Sequence, residues 1–293
     1  MSEQLIAGSF PVLEQMVEKA NAQNVKLTLM FTAQWADYIA KSPERMQKLE
    51  EWKANGNEIA AHHHGLTHGT WDGYTDYNQE FALQKREEVG KLVAETYLGT
   101  LEEYISKLQK INPTIHSGCL NDEADKNDLP NEIIYDTCSG FANYGIVGTI
   151  EEDSLNPEKA KNEYASTGVV KGIERVWLTH FQINVPAREK KGEQMFSSMN
   201  SSQVFGGVVH SSSPEARALY SFLDFLKTRD ANGEKSRTVS EIIEEGILPE
   251  KAIPSEKLFL PAGASAKSQG KCGDGVCGPL EQADSYLCPQ DCK

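Results

Sequence analysis

The chain has no apolar run approaching the ~20 residues needed to cross a bilayer, and no Lys/Arg-rich run that would suit an anionic membrane surface. Basic charge is scarce throughout. Against 43 Asp and Glu stand 29 Lys and Arg, a formal net charge of −14 over 293 residues. Phosphate-backbone interfaces require basic patches, so no nucleic-acid partner is expected. The opening MSEQLIAGSF offers neither a basic n-region nor an apolar h-region, and so no legible signal peptide. Aspartate is also missing at first: Asp37 is the earliest in the chain.

What is present is ordinary for a globular protein, with 39% hydrophobic and 25% charged residues. The length allows one large α/β domain or two smaller ones, with a full core. Of six cysteines, Cys119 and Cys138 lie in the body, and Cys272, Cys277, Cys288 and Cys292 crowd the last 21-residue stretch before Lys293. An even count and a crowded tail suggest disulfides and an oxidising compartment. The expectation is an extracellular or cell-surface protein whose leader is absent from this chain.

Helix and strand patterns alternate along the body. FPVLEQMVEKANAQ carries Val12, Leu13, Met16, Val17 and Ala20 on one face, predicting a helix from about Phe10, and VKLTLMF reads as a buried strand. Ser42-Pro43-Glu44 opens a helix that runs through Met46, Leu49 and Trp52 to a stop at Asn55-Gly56. EIAAH is the next strand. A helix over Leu101 to Lys110, strands after Pro113, at Glu174 to Ile183 and at Val204 to His210, and helices in EARALYSFLDFLKTR and RTVSEIIEEG follow. This alternation argues a parallel α/β sheet or barrel. Residues 121 to 171 are polar and irregular, and predict long loops.

Composition changes near Ala262, where PAGASAKSQG reads as a flexible linker. Residues 1–253 form the body, 254–270 the linker and 271–293 a cysteine-rich module too small for a core of its own. Its cysteines are separated by four, ten and three residues, a spacing compatible with zinc. Asp274, Glu281, Asp284 and Asp291 interleave them, and hard carboxylate oxygens suit calcium. The tail resembles small Cys-Gly-Asp-Gly-x-Cys…Cys-Pro-x-Asp-Cys modules that end secreted microbial and archaeal proteins. The readings are two disulfides with a calcium ion, or a metal-free disulfide knot.

The densest chemistry lies in HHHGLTH, which holds His62, His63, His64 and His68, four of the seven histidines. On a strand His62 and His64 point to one face and His63 to the other. A turn at Gly65 brings His68 back towards His64. Neutral imidazoles converging at the mouth of an α/β sheet are what a zinc-type ion requires. A polar surface loop rich in imidazole is the other reading.

GNEIAAHHHGLTH, Gly56 to His68, resembles the second motif of NodB-type polysaccharide deacetylases, His-Ser/Thr-x-x-His, with Gly65 in place of Ser/Thr. Two extra residues stand between Glu-Ile and the best-spaced pair. GGVVHSSS resembles that family's last motif, a strand ending in histidine, here His210, and the resemblance spans Phe10 to Ile247. It implies a distorted (β/α) barrel and a metal-dependent hydrolase that removes N-acetyl or O-acetyl groups from a polysaccharide. His64 and His68 become metal ligands, with His62 beside them, and His210 the general acid. The family's first motif, a strand ending in paired aspartates, is not found: only nine residues precede the helix near Phe10, so the first strand is expected to be missing. The third ligand and the base then lack an owner, and Asp72 in TWDGY is the nearest substitute, against a plain turn role before Gly73. An open sheet edge in place of that strand would allow self-association.

Four further residues are candidates for binding substrate. His180 either lines the pocket or packs in the core, and His116 falls where the resemblance places a substrate-groove loop. Trp71 and Tyr74 either stack on sugar rings or pack the loop. Cys119 and Cys138, near strand ends, are candidates for a bridge, and Cys119 near His116 for a thiol nucleophile. The competing function is an extracellular carbohydrate-binding or surface-assembly protein on a catalytically impaired scaffold.

Overall fold

The computed structural model of the chain describes residues 2–66, 70–88, 96–120, 129–138, 161–170 and 172–252. Helix α1 (Glu3–Asn21) opens them, with the Ser2 hydroxyl accepting the Leu5 N–H as its cap. It begins well before Phe10, because Ile6 carries the apolar stripe back by one more turn. Pro11 sits on its exposed side, where the missing N–H costs no buried partner.

Strand β1 (Thr28–Phe31), helices α2 (Ala33–Ala40) and α3 (Pro43–Ala54) and strand β2 (Glu58–His63) follow. Ser42, Pro43 and Glu44 start α3 as their types predict, the Ser42 hydroxyl accepting the Arg45 N–H. Helices α4 (Gln79–Glu88) and α5 (Leu101–Gln109) lead to β3 (Ser117–Leu120) and β4 (Tyr135–Asp136). Then come β5 (Lys161–Asn162), β6 (Ala165–Val170), β7 (Ile173–Trp177), β8 (Phe181–Gln182), α6 (Pro186–Ser198), β9 (Val204–Phe205) and β10 (Gly207–Val208). Helices α7 (Ser213–Lys227) and α8 (Val239–Glu244) and strand β11 (Glu250–Ala252) complete the set.

The architecture is mixed α/β around a mostly parallel seven-stranded sheet, ordered β1-β2-β3-β4-β7-β6-β11. Its one antiparallel neighbour pair is β6 with β7. Two short pairs, β8 with β10 and β5 with β9, stand apart from it. Strand alternation divides the side chains between two faces. Leu29, Phe31, Ile59, Ala61 and Trp177 join Phe10, Trp35, Ile39, Leu49, Trp52, Tyr104 and Leu108 in the main core. Ala165, Val176 and Leu178 pack instead with Ile242 of α8 and Leu248. Burying a Leu- or Phe-sized side chain contributes roughly 1.5–3 kcal/mol, so these two faces dominate the stability.

The two ends of the sheet differ in kind. At the amino end, Glu58 accepts from the Thr28 hydroxyl at 3.0 Å, the Ser117 hydroxyl at 2.5 Å and the Ser240 N–H at 3.2 Å, and also from the Ser240 hydroxyl. It thereby ties β1, β2 and β3 to α8. At the carboxyl end the strands run out into histidines.

Two strands differ from their sequence patterns. The stretch Glu174 to Ile183 is broken between β7 and β8, because Asn162 captures Thr179 there: its Oδ1 accepts the Thr179 N–H at 2.8 Å, and its Nδ2 donates to the Thr179 carbonyl at 2.9 Å. The second, Val204 to His210, is interrupted at Gly206, where a Cβ would lie 2.4 Å from the Thr179 carbonyl oxygen. Only glycine lets these backbones approach. In the region expected to be irregular, β4, β5 and β6 form where the chain is described. The linker at 254–270 and the module at 271–293, with Cys272, Cys277, Cys288, Cys292, Asp274, Glu281, Asp284 and Asp291, lie outside the described residues. Among the described residues no helix is long and apolar enough to cross a membrane.

Candidate functional site

His62 is the fifth residue of β2, and His64 follows its end. The pleat sends both to one side, as their spacing predicts, and their rings meet edge to face with centroids 4.5 Å apart. Their Nε2 atoms lie 2.7 Å from each other. His64 Nδ1 lies 2.8 Å from the Thr70 carbonyl oxygen and 2.7 Å from the Thr70 hydroxyl, so Thr70 fixes the ring's orientation. At the Nε2 separation one Nε2 donates to the other, or both turn towards a shared cation.

His63 points the opposite way. Its ring packs 5.2 Å from that of Tyr104, and its Nδ1 lies 2.8 Å from Asp72 Oδ2, both side chains almost wholly buried. The same Oδ2 accepts the His64 N–H at 3.2 Å, and Oδ1 accepts the Tyr74 N–H at 3.2 Å. Asp72 therefore clamps the loop that carries His64, with Gly73 taking the φ of +93° its turn requires. With both oxygens engaged it holds structure, and the proposed role as general base is not the one this geometry gives it.

At neighbouring strand ends lie two more histidines. His180 occupies the break between β7 and β8, and a ring N–H donates to the Thr137 carbonyl just past β4. Burial lowers its pKa to about 4, with the His210 charge adding to the fall and the Thr137 bond opposing it. His180 is half-buried, and the His210 charge reaches it. His210 follows β10 and precedes α7; its Nδ1 lies 3.0 Å from Glu215 Oε2, which also accepts the His210 N–H at 2.7 Å. The Glu215 hydrogen bond raises the His210 pKa against a smaller effect of burial.

Between these pairs, Cys119 of β3 and Cys138 past β4 are joined in a disulfide with Cα atoms 4.7 Å apart. A thiol nucleophile at Cys119 is thus excluded in this form. His116 is no partner for it either: it precedes β3, at the opposite end of the sheet from His62 and His64. His116 does not join the cluster. Nor do the aromatic rings offered for sugar stacking. Trp71 is 4% and Tyr74 2% exposed, with the Trp71 Nε1–H donating to the Tyr74 carbonyl at 2.9 Å. Loop packing consumes both. His68 lies outside the described residues.

Thr70, Thr137 and Glu215, which hold the rings of His64, His180 and His210, were not singled out by the sequence. Glu215 alone left a signal, as an acid in the first turn of a helix that begins just after a histidine. In the disulfide form, no group of three or more His, Cys, Asp or Glu among the described residues is arranged to hold a metal ion. Comparison with protein-family models, with curated proteins and with solved structures finds no match.

Proposed function

We propose that the chain is a metal-dependent hydrolase that removes N-acetyl or O-acetyl groups from a polysaccharide, built on a distorted NodB-type (β/α) barrel and working outside the cell. The observation that carries the reading is the His62–His64 pair, two ring nitrogens converging at 2.7 Å at the carboxyl end of a parallel strand. Barrels and open α/β sheets place their sites at that end. Two imidazoles, one held in place by Thr70, fit a divalent ion of the zinc type, with His68 as the further ligand that the resemblance implies. A bound ion would polarise an acyl carbonyl and activate water. His210 supports the same reading. Its contact with Glu215 keeps it protonated to higher pH, as a group that donates to a leaving amine needs.

A second reading is favoured by Asp72. Both oxygens of its carboxylate are engaged, by His63, His64 and Tyr74, in holding the loop, which leaves the base unassigned. A carbohydrate-binding or surface-assembly protein on a catalytically impaired scaffold needs no base, and β1, at one end of the sheet, is the edge an assembly would extend. Metal analysis of the purified protein, with acetate release from acetylated chitooligosaccharides, separates the two. Bound zinc and acetate release lost in His64→Ala support the hydrolase. Polysaccharide binding with no acetate release supports the second reading.

A further inference from the structure

The disulfide lies where a ligand would. In the parallel register of β2 and β3, His62 is paired with Cys119, and strands so paired run about 4.8 Å apart with facing residues on the same side. A contact shows that side to be the one His62 uses: the Ser117 hydroxyl reaches Glu58, and Ser117 and Cys119 share a face of β3 as Glu58 and His62 share a face of β2. Cys119 Sγ therefore lies on the His62 side of the sheet, one strand away, joined to Cys138 just past the next strand.

We infer that Cys119 is a redox-controlled third ligand, and that opening the Cys119–Cys138 disulfide creates a His62–His64–Cys119 site for a zinc-type ion. This rests on the histidine pair of the proposed function but not on hydrolase activity. The step is a two-electron exchange with a dithiol. Its thiolate attacks Cys138 Sγ and the Sγ–Sγ bond breaks; the mixed disulfide resolves as the dithiol closes to its own cyclic disulfide, and its two protons end on Cys119 and Cys138. When the ion enters, the Cys119 thiol passes its proton to solvent and binds as thiolate.

The spacing of the two ring nitrogens suits such a site. Tetrahedral zinc with bonds of about 2.0–2.1 Å to nitrogen and about 2.3 Å to sulfur sets two ring nitrogens roughly 3.3 Å apart. From 2.7 Å the two rings need to open by only roughly 0.6 Å. Thiolate and imidazole together also select soft and borderline ions over calcium or magnesium.

The test is titration with Co²⁺ and Zn²⁺ of the full chain in which Cys272, Cys277, Cys288 and Cys292 are replaced by serine, so that Cys119 and Cys138 are the only cysteines left. Expected is that reduction with dithiothreitol, removed before titration, tightens binding by about tenfold or more and brings a near-ultraviolet sulfur-to-cobalt charge-transfer band. Cys138→Ser, with Cys119 permanently free, should show the band without reductant, and Cys119→Ser should never show it. Equal affinity before and after reduction, with no band, overturns the inference while leaving the histidine pair in place. Absence of binding in both forms overturns both. Binding by the reduced form alone, lost in Cys119→Ser, supports this site and removes the histidine-only reading. Should Cys138→Ser fail to fold, the reduced chain carrying both cysteines decides the matter.

Discussion

His62 and His64 confront each other Nε2 to Nε2 at 2.7 Å, and the residue between them is turned away and buried. That relationship separates two jobs along three adjacent positions. The outer residues bring their Nε2 atoms together, and His63 anchors the strand end to Asp72. Replacing either outer ring should therefore remove a ligand without unfolding the protein. His62→Ala and His64→Ala are each expected to weaken Zn²⁺ binding by about tenfold or more while changing stability by less than about 1 kcal/mol. Calorimetric titration with a matching urea melt checks both halves. Unchanged affinity in both variants would remove the pair from any metal site.

The middle residue should behave oppositely. Asp72→Ala deprives His63 Nδ1 and the N–H groups of His64 and Tyr74 of their acceptor, in surroundings with little water to replace it. Leaving a buried hydrogen-bonding group without its partner costs about 1–3 kcal/mol. A double-mutant cycle with His63→Ala should return a coupling of the same sign, above about 1 kcal/mol. A loss below about 1 kcal/mol in Asp72→Ala would mean that the loop is held by something else.

How much of this the sequence disclosed depends on whether a residue's role is local. Ser42-Pro43-Glu44 and Asn55-Gly56 bound α3 by short-range rules, and both limits hold in the structure. The opposed faces of His62 and His63 follow from the two-residue period alone. Helix α6 was illegible because its buried positions are Glu189 and Gly192, which give no apolar stripe to detect. Trp71 and Tyr74 are aromatic in either role, and only tertiary packing decides that they close the loop. Arg175 shows the limit most plainly. A fully buried guanidinium, it donates to the carbonyls of Pro130 and Ile133, residues far off in the chain, and burial lowers its pKa to about 10.

The contact between His210 and Glu215 predicts a pH window. Hydrogen bonding to Glu215 raises the His210 pKa above its unfolded value; burial pushes the Glu215 pKa up, but the His210 bonds outweigh it and the net shift is down. The His210 contribution to stability is thus full below its unfolded value near 6.5 and is lost as pH rises through the raised folded value. The Glu215 contribution is present above its unfolded value near 4.3 and is lost as pH falls through the lowered one. The pair stabilises between these limits. Glu215→Gln should bring the His210 titration, followed by NMR of the ring protons, to lower pH. A midpoint unmoved by the substitution would show that the contact does not exist in solution.

His180 should titrate on the other side of its ordinary range. Burial, aided by the nearby His210 charge, lowers its pKa to about 4, so the folded protein keeps the ring neutral while the unfolded chain protonates it near 6.5. Between those values the unfolded state binds more protons, and stability must fall as pH drops from about 6.5 to about 4. This loss falls where the His210 contribution is already full and flat, so of the two histidines only His180 tilts the acid limb of the stability curve there. His180→Gln removes one of them and should flatten the decline across that window, read as the urea midpoint against pH. NMR offers a second check, since a neutral His180 ring that donates to the Thr137 carbonyl should show a slowly exchanging N–H at pH 6. In His210→Ala the His180 pKa should rise, because one of the charges opposing its protonation is gone. If His180 titrates near 6.5 and the acid limb is unchanged by His180→Gln, the ring is solvated and plays no part in the cluster.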